Sequence, residues 1–183
     1  MYFLPKIHKI DPDLIKKTFK EGFSQTEIQI PMRPIINKCS SPTRRIEKFL
    51  DLIFKPLLRK ESFYIQDTKD FITRIESLEL KDDCILVAYD VTSMYTNMRI
   101  TDLQKTLTRN LANINRDSFN FRIPNTEVLE KMIKLTLENN KFEFNGQLYK
   151  QVIGAPMGGI LSSTCTDLHL ATLLKIILVH REH

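Results

Sequence analysis

Cys84-Ile85-Leu86-Val87-Ala88-Tyr89-Asp90-Val91-Thr92-Ser93-Met94-Tyr95-Thr96-Asn97 is the stretch on which the reading of this chain turns. Cys84 to Tyr89 is apolar at every position and rich in strand formers. That pattern suits a strand covered on both faces, and it predicts a central strand ending in Asp90. A carboxylate at the end of a buried strand is held rigidly where a divalent cation can bind, as metal-assisted phosphoryl transfer requires. Taken alone, Asp90 fits a cap for the turn Val91-Thr92-Ser93 better than a metal ligand. Tyr95, five residues on, taken alone fits a packed aromatic.

Working outward, residues 1 to 40 carry Pro5, Pro12, Pro31 and Pro34 and read as extended or looped, with one short helix near Pro12 to Lys20. Ser41-Pro42 offers an N-cap and a first-turn proline to a helix whose apolar positions are Ile46, Phe49, Leu50, Ile53, Phe54 and Leu57. Asp67, with Asp70 three residues later, starts a second helix with the apolar face Phe71, Ile72, Ile75 and Leu78. Beyond the central stretch, Thr101 and Gln104 form a capping box for a helix carrying Leu103, Leu107, Leu111 and Ile114. A further helix follows Pro124 and uses Val128, Leu129, Met132 and Ile133. Lys141 to Gln151 reads as a hairpin, because Asn145-Gly146 permits positive φ at both turn positions. Phe142 then faces Tyr149. After Gly154-Ala-Pro-Met-Gly-Gly159, a turn that lets backbone approach a base pair or phosphate, a final helix runs through Leu161, Cys165 and Leu168 toward Val179. Helices interleaved with few strands indicate an α+β domain, mostly helical with a small antiparallel sheet and a hairpin at 141–151.

With 183 residues, 42% hydrophobic and 27% charged, the composition is that of one globular domain and excludes disorder and low complexity. Leu168 to Val179, the longest apolar stretch, is interrupted by His169 and Lys175 and is too short to cross a bilayer. The start lacks the features of a signal peptide. Cys39, Cys84 and Cys165 have no metal-ligand spacing and fit free thiols in a reducing, intracellular compartment, nuclear or cytoplasmic. His8, His169, His180 and His183 form no ligand set, and Met94, Met98 and Met132 read as core fillers. The net charge of +5 is unevenly spread: residues 1–60 hold 13 Lys and Arg against 6 Asp and Glu. A concentrated basic third suits a polyanionic partner, although a solvated surface accounts for the charge equally well.

Four blocks together resemble the reverse transcriptase of Penelope-like retroelements, a relative of telomerase: Tyr2-Phe-Leu-Pro-Lys-Ile-His-Lys9, Arg33-Pro-Ile-Ile-Asn37, Tyr89-Asp-Val-Thr-Ser-Met-Tyr-Thr-Asn97, and Asn140 to Gln151 with Gly154-Ala-Pro-Met-Gly158. The resemblance implies a partial right-hand polymerase fold: a fingers-like basic region over 1–80 and an incomplete palm over 81–183, ending after the template-grip motif. It implies an RNA-directed DNA polymerase working by two-metal nucleotidyl transfer, with Mg2+ as cofactor and an RNA template, a DNA primer and deoxynucleoside triphosphates as partners, and no membrane. By the same resemblance Asp90 is the catalytic, metal-binding carboxylate, and Tyr95 lies under the incoming sugar and rejects a 2′-hydroxyl. Arg33 and Lys38 fall where fingers contact the triphosphate, and Lys6 and Lys9 touch template or nucleotide. Gln151, Gly154, Pro156, Met157 and Gly158 pack on the nascent base pair. The family's Tyr-x-Asp-Asp hairpin has no counterpart after residue 158, Asp82-Asp83 precedes the first palm motif and cannot replace it, and neither a thumb nor a GIY-YIG endonuclease domain is present. The expectation is therefore a fragment or decayed copy that does not polymerise alone. Two readings from other classes stand beside it: a nucleic-acid-binding module without catalysis, and an inert remnant.

Overall fold

A computed structural model describes residues 1–6, 9–21, 30–79 and 83–179. Four helices build the core: α2 (Arg44–Arg59), α5 (Ile100–Asn110), α6 (Thr126–Glu138) and α7 (Ile160–Val179). The apolar spacing read from the sequence supplies the buried side chains. Leu50, Ile53 and Phe54 of α2 meet Leu103 and Leu107 of α5, Leu129 and Ile133 of α6, and Leu161, Cys165 and Leu168 of α7. Each such aliphatic or aromatic side chain contributes roughly 1.5–3 kcal/mol by leaving water. Met98 and Met132 pack against this core as expected.

Shorter elements surround it. β1 (Tyr2–Pro5) pairs antiparallel with β2 (Met32–Ile35), Tyr2 opposite Ile35. The helix expected near Pro12 is α1 (Pro12–Glu21), and α3 (Thr68–Glu76) starts where expected, Asp67 accepting from the Asp70 N–H at 2.9 Å. The expected hairpin is β3 (Lys141–Phe144) and β4 (Gln147–Lys150), with Asn145 at φ 50 and Gly146 at φ 75. Phe142 stacks on Tyr149 at 5.6 Å. The two sheets touch where the Met1 amino group donates to the Glu143 carbonyl at 2.9 Å and Phe3 meets Phe144 edge-on. The chain is thus α+β, about half helical, with two small antiparallel sheets.

Several sequence expectations need correction. Cys84 to Tyr89 is not a buried central strand: it pairs with no strand among the described residues, and Ile85, Leu86 and Tyr89 are 85%, 84% and 94% exposed. Composition told which surroundings the segment suits; the strands that would provide them pair with each other. α2 begins at Arg44 rather than after Ser41, because Ser41 and Pro42 are spent in a turn closed by Arg44 N–H to the Ser41 carbonyl, and the Thr43 hydroxyl is given to Glu47. No capping box forms at Thr101: α5 starts at Ile100 after Arg99. The helix α3 forms, yet Phe71, Ile72 and Leu78 of its apolar face remain exposed. The last helix begins at Ile160, so its window Ile160–Ile177, with mean hydropathy 1.2, is long and apolar enough by length and composition to cross a membrane. Here it is a core helix, with Leu161, Cys165, Leu168 and Ala171 buried.

Candidate functional site

A groove of about 850 Å³ opens where the four sequence blocks converge. One wall comes from β1 and β2: Arg33 stands opposite Leu4 in the ladder, Lys6 follows β1 with its N–H on the Pro31 carbonyl at 2.8 Å, and Lys9 closes a turn onto Lys6 at 2.9 Å. Three cations therefore line that wall.

The second wall is the segment Tyr89–Ser93 and the single helical turn α4 (Met94–Asn97). Ser93 holds φ 53, a left-handed conformation costing a side-chain-bearing residue about 1–2 kcal/mol. Its carbonyl accepts from the Thr96 and Asn97 N–H groups, both at 3.1 Å, and from the Thr96 hydroxyl at 3.0 Å, which winds α4 and brings Tyr95 into the groove. Strained backbone of this kind concentrates at functional sites. Asp90 lines the groove from an exposed stretch and makes no hydrogen bond among the described residues.

The third wall is the glycine turn and the first turns of α7: Met157, Gly158, Gly159, Ser162 and Ser163, then Leu170. Gly158, at φ 108, lies where an added Cβ would overlap the Ile36 carbonyl, while the Ile36 N–H donates to the Met157 carbonyl at 2.8 Å. The block Arg33–Asn37 is thereby joined to Gly154–Gly158 backbone to backbone. Gly154, at φ 84, donates to Met98, and Ala155 donates to Tyr95, so the same turn also grips α4.

Lys6, Lys9, Arg33, Asp90, Tyr95, Met157 and Gly158 thus meet in one groove. Gly154, Pro156 and Gln151 do not line it. They stand behind the third wall, where the Gln151 amide donates to the Ile153 and Gly154 carbonyls and its buried oxygen has no partner among the described residues. Lys38 is also outside: it is buried, with Nζ 2.5 Å from Glu47 and 2.9 Å from Asn140 Oδ1. Its ammonium is turned away from the place where a triphosphate contact was expected. His8, Asp82, His180 and His183 lie outside the described residues. His169 bonds the Thr106 hydroxyl at 2.8 Å, a packing role.

Sequence reading passed over Ser162, Ser163 and Glu47. The serines follow the glycine turn on the next helix and carry no signal by type. Glu47 carries one: it sits in the stripe Glu47, Leu50, Phe54, Leu57, and a carboxylate in an apolar stripe requires a buried partner.

Electrostatically, burial pushes the Cys165 thiol up to about 12, so it is an inert core group. Burial also raises Asp167, which lies on α7 between the groove residues Ser163 and Leu170. No group of three or more His, Cys, Asp or Glu side chains that could hold a metal occurs among the described residues. Asp90 is the carboxylate that lines the groove among the described residues. No protein-family model, curated protein or solved structure matches the chain.

Proposed function

We propose that the chain is the fingers and part of the palm of a reverse transcriptase of the Penelope-like type, and that its groove receives a nucleic-acid backbone and a nucleotide. One observation carries this reading: blocks separated by up to about 150 residues of sequence, singled out by their motifs, supply Lys6, Lys9, Arg33, Asp90, Tyr95, Met157 and Gly158 to a single groove. The chemistry agrees, since cations along one wall suit phosphates, and a carboxylate opposite suits a divalent cation between the two. In the complete two-metal reaction Mg2+ would neutralise charge on the transferring phosphoryl group, Asp90 supplying one of its ligands.

A second reading, a nucleic-acid-binding module without catalysis, is favoured by the groove's having one carboxylate among the described residues, on a segment that pairs with no described strand. Both readings predict salt-sensitive binding. Fluorescence anisotropy with a labelled RNA–DNA hybrid tests them: the slope of log affinity against log salt should fall by about 0.7–0.9 for each phosphate interaction that Lys6→Ala, Lys9→Ala or Arg33→Ala removes. A folded sample that binds no hybrid at low salt sinks both. Mg2+-dependent primer extension that appears once a Tyr-x-Asp-Asp motif is joined to the chain, and that Asp90→Asn abolishes, decides for the polymerase.

A further inference from the structure

We propose that the buried Lys38–Glu47 ion pair is the positioning device of the groove, holding its three walls in register while touching nothing inside it; this rests on the groove being the binding site. Both side chains are almost wholly withdrawn from solvent, at 4% and 3% exposure, and their charged atoms lie 2.5 Å apart. A buried pair is weak evidence for stability, because apolar residues of similar volume often serve as well. What distinguishes this one is where its remaining hydrogen bonds go.

Glu47 Oε2 accepts the Ile160 N–H at 3.0 Å, at the start of α7, and so holds the wall that presents Ser162 and Ser163 two and three residues later. The negative charge at that helix start is also favoured by the helix dipole. Glu47 Oε1 takes the Thr43 hydroxyl at 3.0 Å as well as Lys38, so the carboxylate is saturated from both sides. A Cβ on Gly159 would lie 3.3 Å from Oε2 and 2.5 Å from the Ser162 hydroxyl, so a side chain there would require the hydroxyl to rotate and the carboxylate to give by a few tenths of an ångström.

Lys38 is linked to the other two walls through its own stretch of backbone and through Asn140. It stands two residues beyond Ile36, whose N–H bonds Met157, and five beyond Arg33 of the cationic wall. Its second hydrogen bond goes to Asn140 Oδ1 at 2.9 Å. The Asn140 side chain is fixed by the Leu137 carbonyl, and its own carbonyl accepts the Gln151 N–H at 2.8 Å. Gln151 in turn staples Gly154, whose turn grips Met98 and Tyr95. One ion pair therefore connects Arg33, Tyr95 and Ser162.

The double variant Lys38→Met with Glu47→Gln tests this, since both charges go together and neither is left buried alone. Amide hydrogen exchange should quicken about tenfold or more at Ile36, Gln151 and Ile160, while Leu107 and Ile133 in the core keep their protection. Anisotropy with the labelled RNA–DNA hybrid should show affinity reduced about tenfold with an unchanged salt slope, because every phosphate-binding cation is still in place. A slope lowered by about 0.7–0.9 would make Lys38 a phosphate ligand and overturn the proposal. Unchanged exchange at the three amides would overturn it, as would equal loss of protection at Leu107 and Ile133, which would make the pair a support of the core. If the unaltered protein binds no hybrid yet the double variant shows the selective exchange pattern, the positioning role stands and the nucleic-acid reading falls.

Discussion

Gly154 stands so close to Tyr95 that a methyl group on its α-carbon would come within 2.7 Å of the Tyr95 carbonyl. Its φ of 84 adds a conformational penalty to that overlap. Gly146, at φ 75 but with nothing within 4 Å, provides the control, because there only the conformation is penalised. Gly154→Ala should cost about 2–4 kcal/mol against about 1 kcal/mol for Gly146→Ala. At roughly 2–4 °C per kcal/mol in a chain of this size, the two Tm values should separate by several degrees in thermal unfolding. Equal losses would mean that the turn relaxes away from α4 and does not hold Tyr95.

Primer extension with Mg2+ and deoxynucleoside triphosphates should give no product from the chain alone. Two cations about 3.5–4 Å apart need more ligands than Asp90 supplies. Extension that disappears on Asp90→Asn would show that further ligands reach the groove from elsewhere.

The uncovered run Ile85, Leu86, Val87 and Tyr89 should drive self-association, since an extended apolar segment with unpaired backbone groups is a template for another strand. Leu86→Lys places a charge in the run at a site 84% exposed, where it touches no core residue. Sedimentation velocity should show mass rising with concentration for the unaltered chain and little such rise for Leu86→Lys, with Tm unchanged. A monodisperse unaltered chain at high concentration would contradict this.

Stability should carry a pH signature from Asp167. Burial raises its carboxyl, so in the folded chain it keeps a proton that the unfolded chain has already released at ordinary carboxylate pH. Stability therefore falls as pH rises from the ordinary carboxylate value through the raised one, and the loss persists above it. Asp70 runs the other way: the Gln66 N–H and then Arg74 lower its carboxyl, so its contribution is lost as pH falls. Denaturant titrations of Asp167→Asn should show a gain over the unaltered chain at neutral pH that vanishes in acid. A gain of equal size at all pH values would show that the carboxyl does not titrate differently in the fold.

The helices were legible because their apolar spacing is local information: Leu50, Phe54, Leu103, Leu107, Leu129 and Ile133 mark the faces that are in fact buried. The hairpin was legible through Asn145-Gly146, whose positive φ values few other pairs permit. The pairing of β1 with β2 was not, since nearly thirty residues separate the strands and no turn signal links them. Cys84 to Tyr89 misled because an apolar pattern states what a segment would bury against and not whether a partner is present. At the site, motif order located Lys6, Arg33, Asp90, Tyr95 and Gly158. It could not show that Lys38 turns inward, because that depends on Glu47 arriving from α2 and Asn140 from the end of α6.

The hydrogen bonds of Lys38 with Asn140 and of Glu47 with Ile160 close loops of 102 and 113 residues. Closing such loops carries an entropic cost that helices, formed from neighbours three and four residues apart, do not meet. The groove should accordingly assemble after the helical hairpin of α5 and α6 and come apart before it. In a refolding experiment, hybrid binding should return later than helical circular dichroism. In mild urea the protein should lose its capacity to bind while most of its helix survives. The groove should thus be less stable than the helices that carry it.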